Sequence, residues 1–592
     1  MNIRLAILFI LLNTTIYAQL HTYKWTNGNK KAEGEIKDGL EQGKWTFWSK
    51  EGVIQQEVTY KDGEFNGEYV NYNEQGKKIE QGNFLRSMKH GACKSWYENG
   101  QLELTGFNKI GYKDSLWTFF YPSGNKMEEG HYKRDERVGT WVSWHENKQQ
   151  KSLISFEENK ELLQSFWDEK GNQLVSNGNG KYMDYYPNKK PKMEGSYLNG
   201  KKNGLWIEYN EDATKTAQGN YVAGIKNGIW QFYYDDEKIR FKGNFNNGLN
   251  DGLWEYWYEN GQKLKEINFL NGREEGVYKE WFENGKLSAE GSYKLGKKEG
   301  KWTYWLENGN IDFVGHFNNE LKDGLWTFYD SKANKSYEGY YKNDKKDGKW
   351  TYWYPNGEIW KTGSYKENLK HDQWSFYSEQ KQLVMQGNFL NGKEEGEWKS
   401  WYDSGEKKDI GNYTNGLMNG KWEGWYMNGQ QDYSGYYKQA LKDGIWEHWH
   451  ENGKHELLET YLVKPEVKKK FYKDKNNKFM EVDDSRLISV KQGMYYEWFE
   501  NGKPKTEGEF NDNQQDGKWT YFYENGNKMY EQTLVKGRQE GKVTSWYAIG
   551  TLESEKEYKN GQAHGKWVFY AKQAGKVLKT AYYKEGKKIK EE

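Results

Sequence analysis

A Gly-x-aromatic motif returns every 24 residues along this 592-residue chain. Its third residue is Trp45, Tyr69, Cys93, Trp117 and Trp141 in a first run. A second run goes Tyr182, Trp206, Trp230, Trp254, Tyr278, Trp302, Trp326, Trp350, Trp374, Trp398, Trp422 and Trp446, and a third goes Tyr495, Trp519, Val543 and Trp567. A period this regular means one supersecondary unit stacked many times, each burying its apolar side against its neighbours. It also bears on function. A repeated unit builds a surface, whereas catalysis needs a unique cluster of unlike groups.

Counting from the first glycine, Gly300 to Asp323 spells out one unit. Trp302 and Trp305 lie in an aromatic-rich segment of the kind favoured in strands. Asn308-Gly309 predicts a type I′ turn, and Phe313, Gly315 and Phe317 mark a second strand. A polar loop, ending in Asp-Gly or a near equivalent, returns to the next Gly-x-Trp. Each unit therefore reads as a β-hairpin. Position 6 is aromatic in all 21 copies, and an odd separation from position 3 sends the two side chains to opposite faces of a regular strand. Two aromatic ladders are expected, one per face. Glycine at position 16, as at Gly291, Gly315, Gly363 and Gly387, is expected to leave room for a neighbouring ring.

Composition agrees. Aromatics make up 17% of the chain, and glycine is abundant (66) where proline is rare (6), as tight turns between extended segments require. Lys+Arg (88) and Asp+Glu (87) nearly cancel, so no polybasic field exists to hold nucleic acid or an acidic membrane. Cys93 stands alone and has no internal disulfide partner. Met1 to Arg4 is a short positive segment, Leu5 to Leu12 is apolar, and Ala18 precedes Gln19. This reads as a secretory signal peptide over 1–18, too short to span a bilayer, and predicts an exported protein: periplasmic, cell-surface or secreted.

The pattern G-x-W-x-x-W/Y-Y/F-x-N-G, then G-x-Y/F-x-N-G, then D-G resembles the MORN-repeat variant family, the group that includes the YwqK-type "antitoxin" proteins. It stands here as Gly348-Lys349-Trp350-Thr351-Tyr352-Trp353-Tyr354-Pro355-Asn356-Gly357 with Gly363 and Tyr365. The resemblance covers the chain from about Gly43 onward and implies an all-β fold. The expected architecture is an elongated, twisted antiparallel sheet, a solenoid-like array of about 23 tandem hairpins. For function the resemblance implies a scaffold or interaction surface.

Two breaks in phase divide the chain. After the signal, 19–150 is a first repeat run, 151–180 an irregular short unit, and 181–460 a second run. Residues 461–492 form an irregular unit or insert that has lost the tryptophan and carries Lys468 to Lys470, and 493–592 is a third run. Both breaks are expected to stay β, as bends or edges of the array.

No residue pattern points to catalysis. The recurring carboxylates, such as Asp251, Asp323 and Asp443, fall where turn chemistry explains them. His448 and His450 alternate in one strand with His455 after them, but no metal-ligand set is completed. Asp474-Lys475-Asn476-Asn477 echoes a calcium loop without its glycine or distal glutamate. The reading is a non-enzymatic chain with no cofactor and no metal site. The position-6 tryptophans either pack or stack on sugars, and Trp257, Trp281, Trp305 and Trp353 are the candidate contact row. Two functions follow: an exported scaffold that binds a protein partner or assembles with itself at the cell envelope, and a carbohydrate or cell-wall-binding array. An antitoxin or immunity protein is a third, which the family name suggests.

Overall fold

The computed structural model describes residues 18–158, 160–473, 479–573 and 575–592. The signal segment and the calcium-loop echo thus lie outside the described residues, save Ala18. The chain divides into two compact units, Met1–Gly285 and Lys286–Glu592. In each, the described regular structure is strand alone, and strands pair antiparallel with their chain neighbours, as Leu249–Trp257 does with Lys263–Leu270. The fold is all-β, an array of open hairpins.

The turns are distributed differently from the expectation. In the Asn308-Gly309 turn only Gly309 has positive φ (93°); Gly309 N–H donates to Leu306 O at 2.8 Å and Leu306 N–H to Asn310 O at 2.9 Å. This is a type I turn closed by a left-handed glycine, with a bulge beside it. The two-residue type I′ turns sit at the other end of the strands, where a polar loop was expected. Asn271 (φ 49°) and Gly272 (φ 80°) make one, between Lys263–Leu270 and Arg273–Trp281. The Asp-Gly pair is not a loop either. Asp251-Gly252 lies inside the strand Leu249–Trp257, where Gly252 and Leu253 are extra residues against the preceding strand: Gly243 pairs with Trp254 and Asn244 with Asp251. Glycine is used there because its φ is 70°.

The core is the position-3 row. Trp206, Trp230, Trp302, Trp326, Trp350 and Trp374 are fully buried. Each of these indoles lies flat on the glycine eleven residues upstream: a Cβ on Gly243 would come within 2.1 Å of the Trp254 ring, and one on Gly339 within 2.2 Å of the Trp350 ring. The indole N–H then donates to the next backbone carbonyl, as Trp254 Nε1 does to Asn244 O (3.1 Å) and Trp350 Nε1 to Tyr340 O (3.1 Å). At Trp567 the upstream residue is Lys556 and the indole is only partly buried; in three other pairs where the partner has a side chain, the ring is smaller. Val58 pairs with Tyr69, Ile267 with Tyr278 and Glu459 with Tyr495. Close packing enforces this exchange of volume. Aromatic residues of the second strands meet the indoles edge-on, Phe245 and Phe269 on Trp254 at 5.0 and 6.1 Å. A lysine four residues upstream closes the stack, Lys226 Nζ over Trp230 and Lys346 Nζ over Trp350, both at 4.1 Å.

The two phase breaks have different structures. At the first, the second strand shrinks to Gln173–Ser176, and an apolar cluster of Leu163, Phe166 and Val175 replaces the indole. At the second, no unit is inserted in the sheet at all. His455–Lys473 and Phe479–Trp498 keep pairing with each other from Tyr461–Lys491 out to Lys473–Phe479. Their neighbours stop earlier, at Gly444–Tyr461 on one side and Gly493–Phe510 on the other. The repeats either side of this arm are direct neighbours: Asn452 Nδ2 reaches Glu500 O at 2.8 Å, the bond Asn428 makes to Glu451 O without an arm between.

Candidate binding face

The position-6 residues share the face opposite the buried indoles, and the hairpin register brings them there. Pairing shifts by one between Tyr256 and Trp257, a bulge that seats Trp257 opposite Lys263. Trp257, Trp281, Trp305 and Trp353 are all half-buried. Trp257 and Trp281 belong to successive repeats of the first unit. Trp305 and Trp353 lie in the second, with Tyr329 at the intervening position.

A lysine, rather than a further ring, fills the space between Trp257 and Trp281. Lys263 Nζ lies 5.9 Å from the Trp257 ring and 5.8 Å from the Trp281 ring, and Lys242 covers Trp257 from the other side at 5.2 Å. The same contact recurs from Lys30 to Trp48, Lys78 to Trp96, Lys126 to Trp144, Lys335 to Trp353 and Lys528 to Trp546, each at 5.4 or 5.5 Å. At Trp305 the corresponding upstream residue is Leu287 instead. Glutamates hold the lysines in place. Glu255 meets Lys242 at 2.9 Å and Lys263 at 3.0 Å, and Lys335 meets Glu338 at 2.8 Å. Burial acts to raise the Glu255 carboxyl, and the hydrogen bonds from the two lysines outweigh it, leaving the group below its ordinary range. The face thus combines half-buried indoles, ammonium groups and carboxylates in several of the repeats.

A second ladder runs along the turns. Tyr258 OH donates to Trp281 O (2.9 Å) and Tyr402 OH to Trp425 O (2.9 Å). Asn260 Nδ2 donates to Glu283 O (3.3 Å), while its Oδ1 accepts from Gln262 N–H (2.8 Å). Where Tyr-x-Asn-Gly recurs it ties one turn to the next, which explains an asparagine that does not itself need positive φ. Sequence reasoning missed this role, although the signal was present in the recurrence of Tyr-x-Asn-Gly, as at Tyr97-Glu98-Asn99-Gly100, Tyr258-Glu259-Asn260-Gly261 and Tyr426-Met427-Asn428-Gly429.

The three candidate histidines are dispersed. His448 stacks on Trp446 at 6.1 Å, His450 Nε2 lies 3.4 Å from Trp498 O, and His455 sits between Trp449 (5.4 Å) and Trp498 (5.3 Å) in the place a lysine takes elsewhere. Burial first, and then the Lys442 charge, lowers the His448 pKa. Cys93 is buried where other units carry tryptophan, and accepts a hydrogen bond from Asn108 Nδ2 at 3.2 Å. Trp360 falls outside the repeat grammar. It is 42% exposed, near Tyr352 (6.4 Å) and Tyr354 (6.1 Å), with Lys361 Nζ 3.6 Å from its ring centroid.

A family model described as a MORN repeat variant matches the chain at 41–62, 89–107, 113–134, 179–199, 226–247, 250–271, 274–295, 298–319, 346–367, 394–415, 442–462, 491–512, 515–536 and 539–560. No curated protein matches. Among solved structures, the TcdB2-TccC3-Cdc42 crystal structure aligns with 92% of this chain at 11% identity and a TM-score of 0.11, and TcdB2-TccC3-TEV with 98% at 8% identity and 0.11. The chain spans only about 30% of the length of either.

Proposed function

Because the chain belongs to the MORN repeat variant family, we propose that it is an exported, non-enzymatic scaffold that binds a protein partner, or assembles, along its repeats at the cell envelope. The observation that carries this reading is the composition of the position-6 face. Several of its indoles, Trp257, Trp281 and Trp353 among them, are half-covered by lysines that glutamates hold in place, so these repeats offer a mixed apolar, cationic and anionic patch. Such patches match protein surfaces, whose contact regions combine aromatic anchors with polar rims. A sugar ring stacks best on an open indole face, and here ammonium groups occupy that position. Export rests on the apolar Leu5 to Leu12 followed by Ala18-Gln19. The mature protein is expected to begin at Gln19, which N-terminal sequencing of the fractionated protein checks.

Binding by repeated weak patches gains strength through multivalency. The test compares capture of envelope proteins by the full mature chain with its binding to a glycan array. Protein capture without glycan binding supports the reading; saturable glycan binding without protein capture overturns it in favour of a carbohydrate-binding array.

A further inference from the structure

The arm at 462–490 leaves the sheet as two strands whose ladder bonds are only to each other, tied at its base by Val463 N–H to Asp443 Oδ1 (2.9 Å), Lys464 Nζ to Asp512 Oδ1 (2.6 Å) and Ser489 Oγ to Lys442 O (2.5 Å). At about 3.3 Å per residue, the twelve residues from Leu462 to Lys473 carry it on the order of 40 Å. A two-stranded ribbon without a third strand or a covering layer is marginal in water. This one also exposes Val467 (58%), Tyr472 (52%), Met480 (44%) and Val482 (40%). Among the described residues no strand pairs with either outer edge of the arm beyond Tyr461 and Gly493.

The two edges are not equivalent. The first strand carries Pro465, which has no N–H, and the run Lys468-Lys469-Lys470. Proline and lysine are what blunts a strand edge against pairing. Any two-fold antiparallel register centred on that run sets lysine against lysine. The second strand has neither device. Its edge reads Glu481-Val482-Asp483-Asp484-Ser485-Arg486-Leu487-Ile488-Ser489.

That sequence is complementary to itself. Laid antiparallel against a second copy about a two-fold axis at Ser485, Asp484 faces Arg486 of the second copy, and Arg486 faces its Asp484. In the same register Val482 faces Ile488, both on the face that carries the charge pairs. The Asp484 and Arg486 side chains are accessible for this, 44% and 60% exposed, though Lys470 (2.5 Å) and Glu466 (2.9 Å) already touch them within the arm. The new contacts would join these pairs into a four-charge network. With Lys+Arg and Asp+Glu nearly equal in the whole chain, no long-range repulsion opposes the encounter.

We infer that the arm is a dimerisation element, in which the Glu481–Ser489 edge of one chain pairs antiparallel with the same edge of a second copy to complete a four-stranded sheet. This specifies the assembly half of the function proposed above and rests on that reading only in treating the chain as an assembling scaffold. A two-fold, self-complementary contact closes at two copies and adds no filament.

The experiment is sedimentation velocity on the full mature chain across about 1 to 100 μM, the range where modest contacts dissociate. Wild type is expected to show a concentration-dependent monomer–dimer equilibrium. Arg486→Asp sets a carboxylate against Asp484 of the second copy, and Asp484→Arg sets two guanidinium groups together. Each alone should weaken association at least about tenfold, and an equimolar mixture of the two should restore a dimer to within about threefold of wild type. Far-UV circular dichroism and exchange protection of Leu441–Trp449 and Pro504–Asn511 check that the neighbouring strands remain folded. A wild-type chain that stays monomeric throughout overturns the inference, as does a mixture that associates no better than either variant alone. Envelope-protein capture persisting in a monomeric wild type would leave the scaffold reading standing while the arm inference falls.

Discussion

Gly243→Ala is the smallest change that tests how the core is built. In open space, replacing glycine by alanine at a compatible backbone angle stabilises by about 0.4–1 kcal/mol, through the unfolded chain. Gly243 has no positive φ, so the backbone accepts alanine, but the new methyl carbon would stand 2.1 Å from Trp254 Cδ2 and 2.3 Å from Cε2. The indole has to leave. Overpacking costs about 1–3 kcal/mol, the hydrogen bond to Asn244 O about 1 kcal/mol, and the edge contact with Phe245 about 0.5–1.5 kcal/mol. The net cost is about 1.5–5 kcal/mol, confined to the adjacent repeats because contacts are between neighbours. Residue-resolved hydrogen exchange should show protection in Ile239–Asn246 and Leu249–Trp257 falling about 10- to 5,000-fold. Gly252→Ala is the control: it meets nothing within 4 Å, and its φ of 70° costs about 1–2 kcal/mol in backbone strain alone. Combining Gly243→Val with Trp254→Tyr copies the Val58–Tyr69 pair and should recover part of the loss. A neutral or stabilising Gly243→Ala would refute the ring-on-glycine account.

Other outcomes follow from the same geometry. Trp326→Ala should cost about 3–5 kcal/mol in its own repeat, leaving exchange protection several repeats away unchanged; a single global transition would contradict this. Tyr258→Phe removes only the hydrogen bond to Trp281 O and should raise exchange at the linked turns by an amount equivalent to about 0.5–1.5 kcal/mol. Glu459 is 5% exposed; burial acts to raise its carboxyl pKa, while hydrogen bonds from Lys491 and Tyr461 and the Lys442 charge lower it further, for a net depression below 4.5. A depressed carboxylate contributes stability above its unfolded pKa and loses it as pH falls through the folded one. Strands flanking the arm should therefore weaken below about pH 4.5 in the wild type, and Glu459→Gln should flatten that acid limb; identical limbs would remove Glu459 as its source.

Much of this fold is legible in the sequence because period and packing have one cause. Trp302 and Gly315 recur at 24 residues since each indole needs a glycine beneath it, and the hairpin follows from spacing alone. The turns misled for a physical reason. Asn308-Gly309 carries the residues of a type I′ turn, yet its asparagine is there to bond the neighbouring turn, a contact between residues 23 apart that no local propensity encodes. Asp251-Gly252 resembles a turn and is a bulge, because a positive-φ glycine serves both. The second phase break was harder still. Whether 461–492 folds back into the sheet or runs out as an arm depends on which strands pair, and its residues suit either. On the candidate face, the position-6 tryptophans could be picked out by periodicity, whereas the lysines over them could not, since a lysine eighteen residues upstream gives no signal without the register.

The central claim is that function resides in the repeated position-6 face rather than at one site. It is tested most directly by measuring retention of envelope proteins on the immobilised mature chain as Trp257, Trp281, Trp305 and Trp353 are changed to alanine one, two and then all four at a time, with folding verified for each variant. The account predicts a graded loss, each substitution weakening retention by a similar factor. Abolition of binding by one of the four, or full retention after all four, would contradict it.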